Sequence, residues 1–410
     1  MKKMAIFYEG WGERWHLATL ADNGRQLLFE YTPQALQQGL ELSPRHLKLQ
    51  ATAYGQFPDH QMGLPGLVSD ALPDGWGLLL MDRVFRQNGL EPHRLSVLDR
   101  LAFIGQRALG ALTFEPATPA DLPHQDTTLL TLAQQAHAIV GGADSDMLRQ
   151  LALIGGSPHG ARPKVLVHYA PDSGHMSTHP FAGSQPWLVK FQAANEHKEA
   201  CTIETLYAEL ARACGLSVPA TRHFDLDDQL AGFGIQRFDV CNGQRVPVHT
   251  LSGLLHANFR LPGAVDYTTF LRATRFLTQD EREVQKAYER AVFNVLFHNR
   301  DDHPKNFSFL LTRERRWTLA PAYDLTFCEG PGGWHQMDVC GEGQHIARHH
   351  MLKLAEQGGL RTHWAAQVLD RQLSVATSFS AYAQPHPIRL ATQKLLAARV
   401  ADNAQRLAHP

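Results

Sequence analysis

The stretch Val295–Leu311, VLFHNRDDHPKNFSFLL, is apolar at both ends and crowded with polar groups at its centre. Arg300, Asp301, Asp302, His303, Lys305 and Asn306 fall within seven positions. The flanks put this segment in or beside a core, where charged side chains are expensive unless they are paired or put to use. Upstream, Val284, Ala287, Tyr288, Ala291, Val292, Val295 and Leu296 recur at helical spacing, so an amphipathic helix leads into it. Downstream, FSFLL and RWTLA read as two short strands around a charged turn, and LAPAYDL follows with Asp324.

The rest of the chain sets the frame. Its 410 residues allow about two or three domains. Hydrophobic residues make up 44% and charged residues 19%, ordinary for a globular protein. A formal charge of −1 argues against nucleic acid as the main partner. No apolar run is long enough to cross a bilayer, and the basic start meets Glu9 before any secretory apolar region, so a cytoplasmic protein with no membrane contact is expected. The five cysteines (Cys201, Cys214, Cys241, Cys328 and Cys340) have no CxxC spacing and read as reduced thiols. His345–His350, HIARHH, lacks partnered cysteines or carboxylates and reads as histidines at a helix start rather than a metal cluster.

Met4–Tyr8 and Leu27–Tyr31 read as strands around an Asn23-Gly24 turn. Leu72–Gly75 is a turn into a helix over Leu78–Phe85, ended by Asn88-Gly89. The Pro-rich segment from Ala117 to Gln125 marks a boundary, and a helix over Leu129–Val140 follows. KVLVHYA, QPWLVKFQ and GFGIQRFDV read as strands, and IETLYAELARACGLSVP as a helix closed by Gly215. Beyond Asp239 the pattern turns helical, with Gly358-Gly359 as a break near the end.

Three constellations carry chemistry. GGSPHG, Gly155–Gly160, lets backbone N–H groups approach phosphates. Ala161-Arg162 stand where a Walker loop needs Lys-Ser/Thr, so the expected arrangement is a Gly-rich lid between strands. Lys190 lies mid-strand among Leu188, Val189 and Phe191, as an edge lysine or as a buried cation with Glu204 as candidate partner. In the opening stretch, Arg300-Asp301 and Asn306 reproduce the base-to-asparagine spacing of a kinase catalytic loop, which Asp302 and Asn306 do not. Asp301, His303 and Asn306 also form D-x-H-x-x-N, which resembles the loop of phosphoinositide-type kinases. Asp301 is therefore the expected base, Asp302 a solvated or loop-bracing neighbour, and Asp324 a second metal carboxylate. The competing reading is a metal-dependent hydrolase using His298, Asp301, Asp302 and His303.

The order and wording of SDALPDGWG, GGSPHGARPK, WLVKF, IQRFD, NRDDHPKNFSF and LAPAYDL resemble the HipA family of bacterial serine/threonine kinases, toxins of toxin–antitoxin pairs. The resemblance implies an α+β, protein-kinase-like two-lobed fold. Residues 1–118 would be an N-terminal α/β subdomain, 119–239 the kinase N-lobe and 240–410 a mainly helical C-lobe. It implies ATP and Mg²⁺ as cofactors. Gly155, Gly156, Ser157, Gly160, Lys164 and Lys190 would lie on the phosphate side, and Gln236, Arg237 and Phe238 on the adenine side. Asp301 would be the proton acceptor, with His303 as brace and Asn306 and Asp324 as metal ligands. Ser157 would be an inactivating autophosphorylation site. The implied partners are a translation-related protein substrate, such as an aminoacyl-tRNA synthetase, and a helix-turn-helix antitoxin of HipB type, with DNA reached only through it. The alternative within this resemblance is a nucleotide-binding pseudokinase acting as co-repressor. Gln236 stands where the family commonly has glutamate, and SPHGARPK differs from the AGAQEK form of its best-known members.

Overall fold

The computed structural model describes residues 2–119, 127–143, 145, 147–155 and 158–409. The chain forms two compact units that interleave along the sequence. The first comprises Met1–Cys201, Thr221–His249 and Leu311–Arg315; the second comprises Thr202–Ala220, Thr250–Leu310 and Arg316–Pro410.

The first unit contains two five-stranded sheets among the described residues. Strands β1 (Lys2–Tyr8), β2 (Trp15–Asp22), β3 (Leu27–Tyr31), β4 (Ala53–Tyr54) and β5 (Leu112–Glu115) pair antiparallel in the order β4-β3-β2-β1-β5. The Asn23 side chain accepts the N–H groups of Arg25 and Gln26, both at 2.9 Å, and so closes the expected turn. That turn joins β2 to β3, which corrects the pairing of Met4–Tyr8 directly with Leu27–Tyr31. Trp15, Leu17, Ala18 and Leu20 are all buried, so β2 departs from strict alternation, and its register with β1 shifts at Ile6/Phe7.

The second sheet holds β6 (Lys164–Tyr169), β7 (Met176–Ser177), β8 (Gln185–Phe191), β9 (Thr221–Asp225) and β10 (Ala231–Gln236), in the order β7-β6-β8-β10-β9. Val165, Val167 and Tyr169 are buried, as are Trp187, Val189 and Phe191 across the ladder, which is the expected alternation. β8 lies between β6 and β10, so Lys190 is not an edge lysine. The apolar lead into the Gly-rich turn is a helix, Leu148–Gly155, preceded by the helix Leu129–Val140. The turn thus joins a helix to β6 and not two strands, a correction of the lid arrangement.

Distant segments of this unit are tied by directed bonds. Trp11 Nε1 donates to the Leu311 carbonyl at 2.9 Å, and the Arg315 guanidinium to the Gln38 carbonyl at 2.8 Å. Ser43 Oγ meets His249 Nε2 at 3.0 Å, and His249 Nδ1 meets Asp70 at 2.7 Å. These are the partners of a hydrolytic triad, but Ser43 and His249 are both 0% exposed, so no substrate reaches the hydroxyl and the set acts as a brace.

The second unit is mainly helical. Tyr267–Thr278 and Glu281–Leu296 start at Asp266 and Asp280, whose carboxylates accept first-turn N–H groups. Arg348–Gln357, Thr362–Thr377, Phe379–Ala383 and Leu390–Ala408 follow. His349 and His350 lie side by side at the start of Arg348–Gln357, with ring centroids 3.8 Å apart and planes tilted by 41°. Tyr267, Phe270, Phe293, Phe297 and Phe307 are fully buried and form the aromatic core beneath the opening stretch. Phe270 and Phe307 centroids lie 4.5 Å apart and those of Phe293 and Phe297 4.7 Å apart. No helix among the described residues is long and apolar enough to cross a membrane.

Candidate active site

The helix Glu281–Leu296 delivers the chain to residues 300–303, which run without regular structure to the short helix Pro304–Asn306. Asp301 and Asp302 part company here. The Asp302 side chain is wholly buried and accepts from Tyr267 Oη at 2.7 Å, from His335 Nδ1 at 2.7 Å and from the Gln336 N–H at 2.8 Å. It is the loop-bracing neighbour, not a solvated one. The Asp301 side chain is 44% exposed and lies 3.8 Å from His303 Nε2. Asn306 Nδ2 donates to the Asp301 carbonyl at 2.8 Å, which closes the loop around Asp301.

Arg300 points inward, like Asp302. Its guanidinium donates to the carbonyls of Gly333 and Gln344, the latter at 3.0 Å. Arg300 and Asp302 therefore hold segment 333–344 from two sides, while Asp301 faces solvent. On the other flank, the Arg300 N–H donates to the Cys328 carbonyl and the Cys328 N–H to the His298 carbonyl. The chain leaving Asp324 is thus zipped to the chain entering Asp301. Tyr323 Oη adds bonds to the Lys305 carbonyl at 2.8 Å and to Ser308 Oγ at 2.6 Å. Asp324 itself sits at φ +56°, a left-handed conformation uncommon for a residue with a Cβ and one that clusters at functional positions.

The proposed hydrolytic set does not gather. His298 faces away, with Nε2 on Glu329 at 2.9 Å and Nδ1 near Asn403 Nδ2 at 3.1 Å, and burial pushes its pKa down to about 4. With His298 and Asp302 committed elsewhere, only Asp301 and His303 remain near one another. Tyr267, His335, Gln336 and Tyr323 were not legible as loop braces. Tyr323 alone had a local signal, its place beside Asp324.

In the first unit, Lys164 and Lys190 are direct cross-strand partners on β6 and β8, 2% and 7% exposed. Lys164 Nζ donates to the His159 carbonyl, and Lys190 Nζ lies 5.9 Å from the Phe233 ring centre. Beyond Gln236, the Arg237 guanidinium turns onto Asp239 with bonds of 2.9 and 2.8 Å. Asp239 is buried, yet Arg237 and the Gly110 N–H hold its carboxyl below the usual range. Arg237 therefore anchors the strand end through its side chain, and its N–H bonds the Pro186 carbonyl at 3.0 Å. Glu204 is buried on the helix Glu199–Ala213. Gly156 and Ser157, with the autophosphorylation expectation, lie outside the described residues.

Residues 156–379 match the HipA-like C-terminal domain, and residues 10–115 match the HipA N-terminal domain. The chain belongs to the HipA family. The HipA of the Shewanella oneidensis MR-1 toxin–antitoxin system, solved with HipB and operator DNA, matches with a TM-score of 0.70 at 18% identity. That match covers 98% of this chain and 96% of the other. The Helicobacter pylori proinflammatory kinase CtkA matches with a TM-score of 0.42 at 15% identity, over 55% of this chain and 87% of that one. No curated protein matches the chain. The fold is the expected HipA-type α+β one.

The donor chemistry fits the cofactors the family implies. Two opposed buried lysines suit a polyphosphate, and the oxygen donors of Asp324 and Asn306 suit Mg²⁺, which takes few protein oxygens and keeps water and phosphate.

Proposed function

We propose that this HipA-family protein is an ATP- and Mg²⁺-dependent serine/threonine-protein kinase, the toxin of a toxin–antitoxin pair. The observation that carries the reading is the Lys164–Lys190 pair. Two buried lysines stand opposite each other on neighbouring strands, next to a Gly-rich turn, and their ammonium donors suit a polyphosphate. Bound Mg-ATP would supply the transferable phosphoryl group and neutralise its developing charge. Lys164 and Lys190 orient the phosphates. Asn306 and Asp324 hold the metal. Asp301, the outward-facing carboxylate of its pair, accepts the proton of a substrate hydroxyl, and His303 sits beside it.

The substrate proposed is a translation-related protein, with an aminoacyl-tRNA synthetase as the first candidate, and the partner a helix-turn-helix antitoxin. The HipB and operator DNA bound to the Shewanella protein support that partner. Autophosphorylation at Ser157 belongs to the same proposal. Purified protein incubated with labelled Mg-ATP and cell lysate should label a discrete protein band, and Asp301→Asn should not. Nucleotide binding without any transfer would leave the pseudokinase reading in its place.

A further inference from the structure

The LPDGW stretch, residues 72–76, lies some eighty residues before the Gly-rich turn in sequence and grips it in the folded unit. The His159 ring nitrogen Nε2 is 2.8 Å from the Leu72 carbonyl. The Asp74 carboxylate accepts the Gly160 N–H, and the Trp76 N–H donates to the Gly160 carbonyl at 3.1 Å. Both backbone polar groups of Gly160 are therefore engaged by this stretch. Trp76 Nε1 donates to the Lys164 carbonyl at 3.0 Å. Asp74 and Trp76 are buried, at 8% and 1% exposure, so these bonds are shielded from water.

Two glycines show how close the approach is. A Cβ on Gly75 would stand 2.7 Å from the Gly160 carbonyl oxygen and 2.8 Å from Ala161 Cα, and Gly75 has φ +39°. A Cβ on Gly155 would collide with the Lys164 carbonyl and stand 3.2 Å from Trp76 Nε1. The turn's entry at Gly155 and its exit at Lys164 thus meet at the Trp76 indole.

We propose that Asp74, Gly75 and Trp76 form a positioning device for the nucleotide loop, holding its two ends and Lys164 in register for the phosphates. This deepens the kinase reading and rests on it. Gly160 then serves as the anchor of the loop and not as a phosphate donor. The device acts through the loop, so it governs nucleotide affinity rather than the phosphoryl-transfer step.

Calorimetric titration of the full chain with Mg-ATP, together with KM and kcat for ATP, tests this. Asp74→Ala removes a charge-assisted bond to a shielded N–H, and Gly75→Ala pushes the loop off its seat. Each should weaken ATP binding by about tenfold or more while kcat at saturating ATP stays within about threefold. Asp74→Asn keeps the acceptor oxygen and should recover most of the lost affinity. Trp76→Phe keeps an aromatic ring and loses the donor, so a rise of a few-fold in Kd is expected, with a cooperative unfolding transition retained. Unchanged affinity in folded Asp74→Ala and Gly75→Ala overturns the proposal. If those two do not fold, unchanged affinity in Trp76→Phe overturns it. A wild-type chain that fails to bind Mg-ATP sinks the kinase reading and this inference with it. Wild-type binding with unmoved variants sinks this inference alone.

Discussion

Asp301 and Asp302, joined by one peptide bond, stand in opposite environments: the first carboxylate is 44% exposed and the second is fully buried under three donors. Substitutions at the two sites should therefore fail in different ways. Asp301→Asn is expected to keep fold and nucleotide affinity while kcat drops about 10²–10⁴-fold, the range for removing a general base. Asp302→Ala leaves Tyr267, His335 and the Gln336 N–H without an acceptor and should cost roughly 3–5 kcal/mol in urea unfolding. An Asp302→Ala protein of normal stability with no transfer activity would reverse the two roles.

The opposed lysines give a second test. Lys164→Met and Lys190→Met should each lower Mg-ATP affinity by about tenfold or more, since each removes a shielded contact to phosphate. Inorganic tripolyphosphate should raise the thermal midpoint of the wild-type chain and do so far less for either variant. Equal stabilisation of all three would remove the polyphosphate site.

If Asp324 holds the metal as proposed, Asp324→Ala should abolish the Mg²⁺ dependence of nucleotide binding. Titrations with and without Mg²⁺ should coincide for the variant and differ for the wild type. Asn306→Ala should weaken the dependence less, because a neutral amide oxygen holds a divalent cation less strongly than a carboxylate does, although it also releases the bond that closes the loop on the Asp301 carbonyl. Retained Mg²⁺ dependence in Asp324→Ala would displace that residue from the site.

His298 makes stability depend on pH. Burial lowers its pKa to about 4, against Glu329, which raises it; Arg300 and His335 add to the lowering, with Asn403 and Phe327 also packed on the ring. The unfolded chain takes up a proton near pH 6.5 that the folded chain refuses until about pH 4. The contribution is thus full above pH about 6.5 and lost as pH falls toward 4. At about 1.4 kcal/mol per pH unit the loss reaches roughly 3 kcal/mol. His298→Gln should flatten the acid limb of urea stability between pH 7 and 4.5. Parallel limbs in variant and wild type would refute this.

Features written over a few residues were legible in the sequence. The helix into the opening stretch and the alternation of KVLVHY are local patterns, and each lies where its pattern put it. Asp301 separated from Asp302 by spacing alone, but the reason Asp302 is buried could not be read, because Tyr267 and His335 lie 35 and 33 residues away. The helix Leu148–Gly155 spans little more than two turns, and an apolar run that short has no period to distinguish it from a strand. Strand β2 was missed because its buried residues do not alternate. The grip of Asp74 and Trp76 on the loop is a contact across 86 and 88 residues, invisible to any local pattern.

Leu311–Arg315 completes a unit whose first strand begins at Lys2, which matters for how the protein is made. Residues 2–201 and 221–249 leave the ribosome without the main-chain acceptor of Trp11 at Leu311 and without the Arg315 donor to Gln38. At elongation rates of about 5–20 residues per second, the first 315 residues take roughly 15–60 s to synthesise. The Gly-rich turn is therefore made long before the unit that carries it is whole. A nascent chain halted at residue 249 should be far more open to protease than one halted well beyond 315, and equal resistance would mean the unit closes without its last segment.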